Sequence, residues 1–420
     1  MATRRWRGDA VPVADVWTIT PGGTIGTETF TMTINGKDVT YTAQSGDTVA
    51  LVVAGLVAAW NNSTIPEFAE ATAVNSTTHA TITMDAAGVP MVVTCTASGS
   101  ATLTPSNTTA ATGPNFFSNA DNWTGGAVPV DGDTVVFDSG GVSCKYGISQ
   151  SALTPAAFTV TMGFTGEIGL PESNVSVGGT YREYRTKFLT WCDSGDATNT
   201  SVRIGDGVGS GSGRLRLSFN TGRVTGMILN SGQRTDEGEP AITIQGSNAN
   251  SEWNVLRGDV GFAFYAGEST QMATLRVGYI DNPIGDARVE CGADLATLTL
   301  VELSGGETAL RSAVTTLSMW AGICSQYAGA VATLSIDGGT YYPKGTSTVT
   351  TLNLGSGGNF DRRQDARDMT ITNTNFYEGF EYHDPNDTIT NTNGIDFIRT
   401  TPAGGVFDVA PNKTWTASTI

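Results

Sequence analysis

Polar and apolar residues alternate in short runs along most of the chain. Thr29-Phe30-Thr31-Met32-Thr33-Ile34 leads into Asn35-Gly36-Lys37 and then Val39-Thr40-Tyr41-Thr42. Period-two alternation on both sides of Asn-Gly predicts a β-hairpin. The pattern changes at 49–60, an apolar run preceded by Ser45-Gly46-Asp47-Thr48 and followed by Asn61-Asn62. It predicts one helix, N-capped at its start and closed by the asparagines. Three more strands are expected at 68–74, 79–84 and 90–96, with Ala86-Ala87-Gly88 turning between the last two. Residues 15–105 thus read as a β-β-α-β-β-β unit, one helix over a small antiparallel sheet. Residues 106–118 open with the polar stretch SNTTAATGPN and are expected to be a linker.

A second unit opens with Asn122-Trp123-Thr124, Val128-Pro129 and Gly132-Asp133-Thr134-Val135-Val136-Phe137. Here a Trp and a Pro cover an exposed end, and Val-Val-Phe starts a strand. Strands are expected at 187–191, 201–204, 214–219, 226–229 and 241–244, without a clean period. From Ala273 onward the core Thr-Leu-x-apolar recurs at 274–277, 297–300, 316–319, 333–336 and 351–354, with a looser copy at 368–371. Its anchors Leu275, Leu298, Leu317, Leu334, Leu352 and Met369 are 23, 19, 17, 18 and 17 residues apart. Near-fixed spacing of short strands is the mark of a solenoid. Residues 119–379 are therefore expected to form a parallel β-helix, each Leu and its i+2 partner pointing inward. The competing architecture is an antiparallel sandwich or jelly roll. Coiling suits so β-rich a chain, because stacked rungs pair every strand edge except the two ends. Residues 1–14 read as an N-terminal arm and 15–105 as a docking module shielding one end. Residues 380–420, with Pro385, Pro402 and Pro411, are expected to cap the other end or wrap a neighbouring subunit. The fold class is mainly β: a small α+β module followed by a parallel β-helix.

Composition narrows the partners. The chain has 420 residues, 52 of them Gly, and a net charge of −17. An acidic surface repels phosphate backbones, so no nucleic-acid partner is expected. No Arg lies between Arg7 and Arg182. Arg4, Arg5 and Arg7 around Trp6 form a small basic arm, either a solvated terminus or a docking peptide for an acidic neighbour. The five Cys are widely spaced and odd in number, which suits small buried hydrophobes made in a reducing cytosol. The start of the chain has no apolar leader, and the run at 49–60 is too short to span a bilayer. The expectation is a protein made in the cytosol, without a membrane partner.

Chemistry is sparse. His79 and His383 stand in different units, and no HExxH, GxSxG or phosphate loop occurs. Gly205-Asp206-Gly207-Val208-Gly209 lacks the Lys-Ser/Thr that would hold a phosphate. Asp193, Asp196, Asp206, Asp236, Glu237 and Glu239 are candidates for a glycan-cleaving carboxylate pair, and the first three for Ca²⁺. All sit in Gly/Ser loops, where acids commonly solvate turns, so no catalytic residue, cofactor or metal is assigned. Two basic clusters are candidate interfaces. One is Tyr181, Arg182, Tyr184 and Arg185, either a subunit contact or an ordinary edge strand. The other is the loop at 361–367, with Arg362, Arg363 and Arg367, which suits inter-subunit ion pairs or solvent.

The stretches Asn35-Gly36-Lys37-Asp38-Val39-Thr40-Tyr41 and Ser45-Gly46-Asp47-Thr48 with its apolar helix resemble α+β modules of bacteriophage structural proteins. Arg4-Arg5-Trp6-Arg7-Gly8 and Val16-Trp17-Thr18-Ile19 are similar to the starts of phage and prophage proteins. The resemblance implies a virion structural protein and carries over no functional residue. The expected form is a homotrimeric head decoration or cement protein bound to the major capsid protein. The alternative is a tail fibre or tailspike adhesin that binds a host surface glycan, with or without cleaving it; no enzyme activity is expected. That reading needs a row of exposed aromatics, for which Tyr265, Tyr279, Trp320, Tyr327, Tyr341 and Tyr342 are candidates. A bacterial surface adhesin is disfavoured by the missing leader.

Overall fold

The computed structural model describes residues 1–169, 188–205, 213–232, 234, 238–265, 267, 270–278, 287–345, 348–363, 367–382, 389–398 and 406–408. It is mainly β, and Val49–Asn61 is the one α-helix among the described residues. The hairpin forms as expected: Thr29–Ile34 pairs with Lys37–Thr42, and Asn35 and Gly36 take φ of 50° and 74°. Val52, Val53, Leu56 and Trp60 face the core from the helix. The Trp60 indole N–H donates to the carbonyl of Ala71 at 2.8 Å, and the Asn61 amide bonds both N–H and C=O of Ala73. These bonds fix the end of the helix to the strand Ala71–Asn75. The start differs from expectation, because Thr48 makes no side-chain cap. The Asp47 carboxylate instead accepts from the Tyr41 hydroxyl and the Gln44 N–H, both at 2.8 Å, and closes the preceding turn.

The module contains two antiparallel sheets rather than one. Thr29–Ile34 lies between Lys37–Thr42 and Val93–Ala97. Val16–Gly23 lies between Ala80–Met84 and Ala101–Thr109 in the other sheet, whose far edge is Ala71–Asn75. Pro21 and Pro105 argue against strands at the sequence level. Pro105 is tolerated because its strand is at an edge, and Pro21 lies beyond the part paired with Ala80–Met84. Residues 106–109 therefore belong to a strand, and the expected linker at 106–118 shortens. The expected strand at 68–74 opens as the 3-10 turn Pro66–Glu70 and becomes extended only at Ala71.

The remaining strands form one long sheet in which every described strand pair is parallel. That excludes the antiparallel sandwich. Strands first alternate between two ladders. Ala157–Val160, Asn199–Ile204, Arg223–Ile228, Glu252–Val255 and Thr270–Val277 make one. Leu189–Thr190, Leu215–Ser218, Ile242–Gln245, Gly258–Phe262 and Ala287–Cys291 make the other. Leu295–Leu310 then pairs with the first ladder through its first half and with the second through its second half. Val314–Gln326, Val331–Pro343 and Thr348–Asp361 stack on it in turn. This order is compatible with a β-helical chain.

The repeat is real but its ends are out of step. Leu317, Leu334 and Leu352 are in register, whereas Leu275 aligns with Val301 rather than Leu298. Leu352 aligns with Thr374, and Ile371, not Met369, stands opposite Val349. A one-residue register irregularity lies earlier in the first of these pairs, at Thr270/Gln271. It is Met272 that stands opposite Leu298, and both are buried.

Both expected ends are corrected. Thr3–Arg5 is no free arm: it pairs in parallel with Thr134–Val136 as the first strand of the long sheet. The chain then leaves, builds the module, and rejoins at the Phe116–Tyr146 bridge. The module is thus an insertion between the first strand and the rest. At the other end, Phe380–Tyr382, Ile389–Asn391, Ile395–Phe397 and Val406–Asp408 continue the parallel ladders instead of capping them. Pro385, Pro402 and Pro411 lie outside the described residues.

Glycine sets the corner where the long strands pass from one ladder to the other. Gly306, Gly322 and Gly339 stand there with φ of 75°, 85° and 81°. A Cβ on Gly322 would sit 2.6 Å from the carbonyl oxygen of Gly306. Gly322→Ala should therefore cost more than about 1 kcal/mol, combining left-handed strain with a backbone clash. Gly46→Ala, at φ 97° in open space, should cost less. Urea denaturation of the two variants tests this, and equal losses would show that the rungs do not meet closely at the corner.

Candidate functional site

The basic arm is consumed by the fold. Trp6 is buried against Trp123 and Phe137, with ring centroids 5.1 and 5.5 Å away. Its indole N–H donates to the carbonyl of Val142 at 2.9 Å. Asp133 is the hub beside it, accepting from the Ala2 N–H at 2.6 Å and from Arg4 Nε at 3.3 Å. Burial raises the Asp133 pKa, but the N–H groups of Ala2 and Val130 and the Arg4 guanidinium outweigh it and hold the carboxyl low. Arg5 pairs with Asp138 while remaining exposed, and Arg7, also exposed, lies 4.0 Å from Asp9. Arg4, Arg5 and Trp6 thus dock within the chain.

The other interface candidates divide. Tyr181, Arg182, Tyr184 and Arg185 lie outside the described residues, as do Asp206, Asp236, Glu237, Tyr279 and His383. Arg362 is buried and donates to the Arg367 carbonyl, which corrects its reading as a surface residue. Arg363 is exposed, paired with Asp361 at 2.8 Å and lying over the Tyr382 ring at 4.2 Å. Burial raises the Asp361 pKa, but bonds from Arg363 bring it below its usual value. Arg367 is exposed.

The described carboxylate candidates are structural. Asp193 accepts from the Thr221 hydroxyl, and Asp196 from the side-chain amides of Asn248 and Asn250. Glu239 is held by Arg214, by the fully buried Arg216 and by the Tyr265 hydroxyl. Nothing among the described residues gathers His, Cys, Asp or Glu into a metal-holding group. Burial pushes the Cys192 thiol up to about 11 and the Cys291 thiol up to about 12, away from nucleophile behaviour. His79 is half-buried beside Thr78. No helix of the described residues is long and apolar enough to cross a membrane.

One open concavity lies on the outside of the second ladder. Glu290, Ala309, Ser325 and Tyr342 follow one another across adjacent strands. The two small residues between larger ones leave a groove of about 240 Å³. Arg288, Glu307 and Ile323 form its other visible wall. At the rim, Arg311, Tyr327 and Lys344 each come one residue after the paired ends Leu310, Gln326 and Pro343. Arg311 lies 4.7 Å and Lys344 5.5 Å from the Tyr327 ring, and Lys344 lies 5.4 Å from the Tyr342 ring. Of the aromatic candidates, Tyr327 and Tyr342 therefore share a site. Tyr341 points into the core, Tyr265 is tied to Glu239, and Trp320 is exposed where the strands turn the corner. The cations escaped a reading by composition. Their signal was spacing, since Arg311, Tyr327 and Lys344 repeat 16 and 17 residues apart, close to the rung period.

No protein-family model, curated protein or solved structure matches the chain.

Two outcomes follow. Asp133 is a stronger acid folded than unfolded, so its contribution is complete above its ordinary value of 3.8 and is lost as the pH falls below it. Exchange of the Thr3–Arg5 amides, corrected for intrinsic rates, should accelerate there, and Asp133→Asn should be weakly protected at every pH. Separately, Glu239→Ala strands the buried Arg216 and should cost about 3–5 kcal/mol. Glu302→Ala removes an exposed pair with Arg276 and should cost under about 1 kcal/mol in the same denaturation series.

Proposed function

We propose that the long parallel sheet is a parallel β-helix and that the chain is a structural protein of a bacteriophage particle. In this reading it is a homotrimeric head decoration protein that binds the major capsid protein. The observation that carries it is the insertion of the module between the first strand and the rest of the sheet. Two chain passages hold the module, one on each side of the Trp6–Trp123 plug. A pull on the module is then shared by both passages and delivered to a sheet whose strands are bonded along their length. That is the construction a clamp on a pressurised shell needs.

Lateral assembly of so acidic a chain requires an uncharged face. Ser318, Ser335, Asn353 and Asn375 align on the outside of the first ladder, beside the aligned Thr316, Thr333 and Thr351. Three copies meet along such a column without like-charge repulsion, so it is the trimer face of this reading.

Native mass measurement of the full chain should give a trimer that Thr333→Glu dissociates, and quantification in purified particles should give copies comparable to the capsid protein. A monomer refutes the trimer. A few dozen copies or fewer move the protein to the tail, and absence from particles refutes the virion reading. The tail-adhesin reading has one observation of its own, the groove at Tyr327 and Tyr342.

A further inference from the structure

Lys344 is a cation of the outer surface that is held by aromatic rings. Among the described residues it has no carboxylate within ion-pair distance, and neither has Arg288 across the groove. Glu290, between them, already accepts from both Arg234 and Arg311. Lys344 is held by the rings of Tyr327 and Tyr342. Tyr327 takes Arg311 as well, so cation, ring, cation and ring follow one another along the rim. Cation–π contacts orient an ammonium without neutralising it. In a chain of net charge −17, a preorganised and uncompensated cation beside a groove is a site for an anion.

We infer that the groove binds a carboxylated glycan chain, lying across the strands with its carboxylates on Lys344 and Arg288. The floor runs from Glu290 through Ala309 and Ser325 to Tyr342, three strand steps or about 14 Å. That length suits a short run of sugar units. The exposed Glu307 and the Ser325 hydroxyl supply partners for sugar hydroxyls. A nucleic acid offers few hydroxyls to these partners and is the poorer fit. Tyr327 is a positioning residue, acting through Arg311 and Lys344. The inference deepens the adhesin reading but does not depend on where in a particle the protein sits.

The test is calorimetric titration of the full chain with a short oligogalacturonate, its neutral oligogalactose counterpart and single-stranded DNA. The carboxylated chain should bind, more weakly as salt rises. Lys344→Gln and Tyr327→Ala should weaken it about tenfold or more, while Tyr327→Phe and the distant, exposed Arg203→Gln should not. The variants lie on the exposed rim, and their thermal unfolding should match the parent. Absence of oligogalacturonate binding overturns the inference, as does equal binding of the neutral chain. Indifference to Lys344→Gln, or equal binding of the DNA, overturns it too. Copy number in particles has no bearing on these outcomes, so failure here leaves the virion reading standing.

Discussion

A parallel strand satisfies its backbone only through the strands on either side of it, and the molecule is arranged around that need. The first strand after the module, Thr134–Phe137, has Ala157–Val160 on one side. Its other side is filled by Thr3–Arg5, three residues from the far end of the sequence. One consequence is topological: the module becomes an insertion between two neighbouring parallel strands. Another is electrostatic. Asp133 sits where the returning chain meets the first strand, and its bonds to Ala2 and Arg4 fasten the strand in place. The third is apolar, because Trp6 arrives with that strand and closes the core over Trp123 and Phe137.

From that plug the interior changes character along the sheet. An unbroken series of ring contacts runs from Trp6 through Phe137, Phe158, Trp191, Phe219 and Trp253 to Phe262. Strands in this part are short, two to six residues. Large rings fill space that brief strands and irregular loops leave. Beyond it the strands lengthen to 13–16 residues and the core becomes aliphatic, with Val301, Leu317, Leu334 and Leu352 in one column. Similar side chains in one column demand rungs of similar length, and glycine at the corner lets each long strand bend over the one before. Uniform packing and a regular period are one fact seen twice.

That explains what the sequence disclosed. The Thr-Leu repeat is legible where the column is aliphatic and fades where aromatics of varied size do the filling. The Asn35-Gly36 hairpin and the helix at Val49 are local in origin and are read directly. Thr3–Arg5 was illegible as a strand, because three charged and polar residues become extended only through a partner about 130 positions away. Ala101–Thr109 was missed as a strand for a related reason: its polar second half and Pro105 are permitted by an edge that composition does not reveal. At the groove, the aromatic residues were visible as candidates. Which of them share a face depends on rung register, and Tyr341 and Tyr342 take opposite sides by one position.

Stacking also determines what the outer surface can do. Each outward side chain meets side chains of the adjacent parallel strands, so several opposite charges among the described residues find partners within the chain: Arg276 lies between Glu252 and Glu302, and Arg234 reaches Asp259 and Glu290. These local pairs spend the charge that an interface would otherwise use, which is why Arg4, Arg5 and Arg363 are engaged within their own chain. Two stretches bear on the proposals. The Ser/Asn column carries no charge, as the proposed contact with another copy requires. At the proposed glycan site, Lys344 is flanked by tyrosine rings rather than by carboxylates. Strand-to-strand pairing thus neutralises much of one repetitive surface, and both proposals rest on stretches where it does not act.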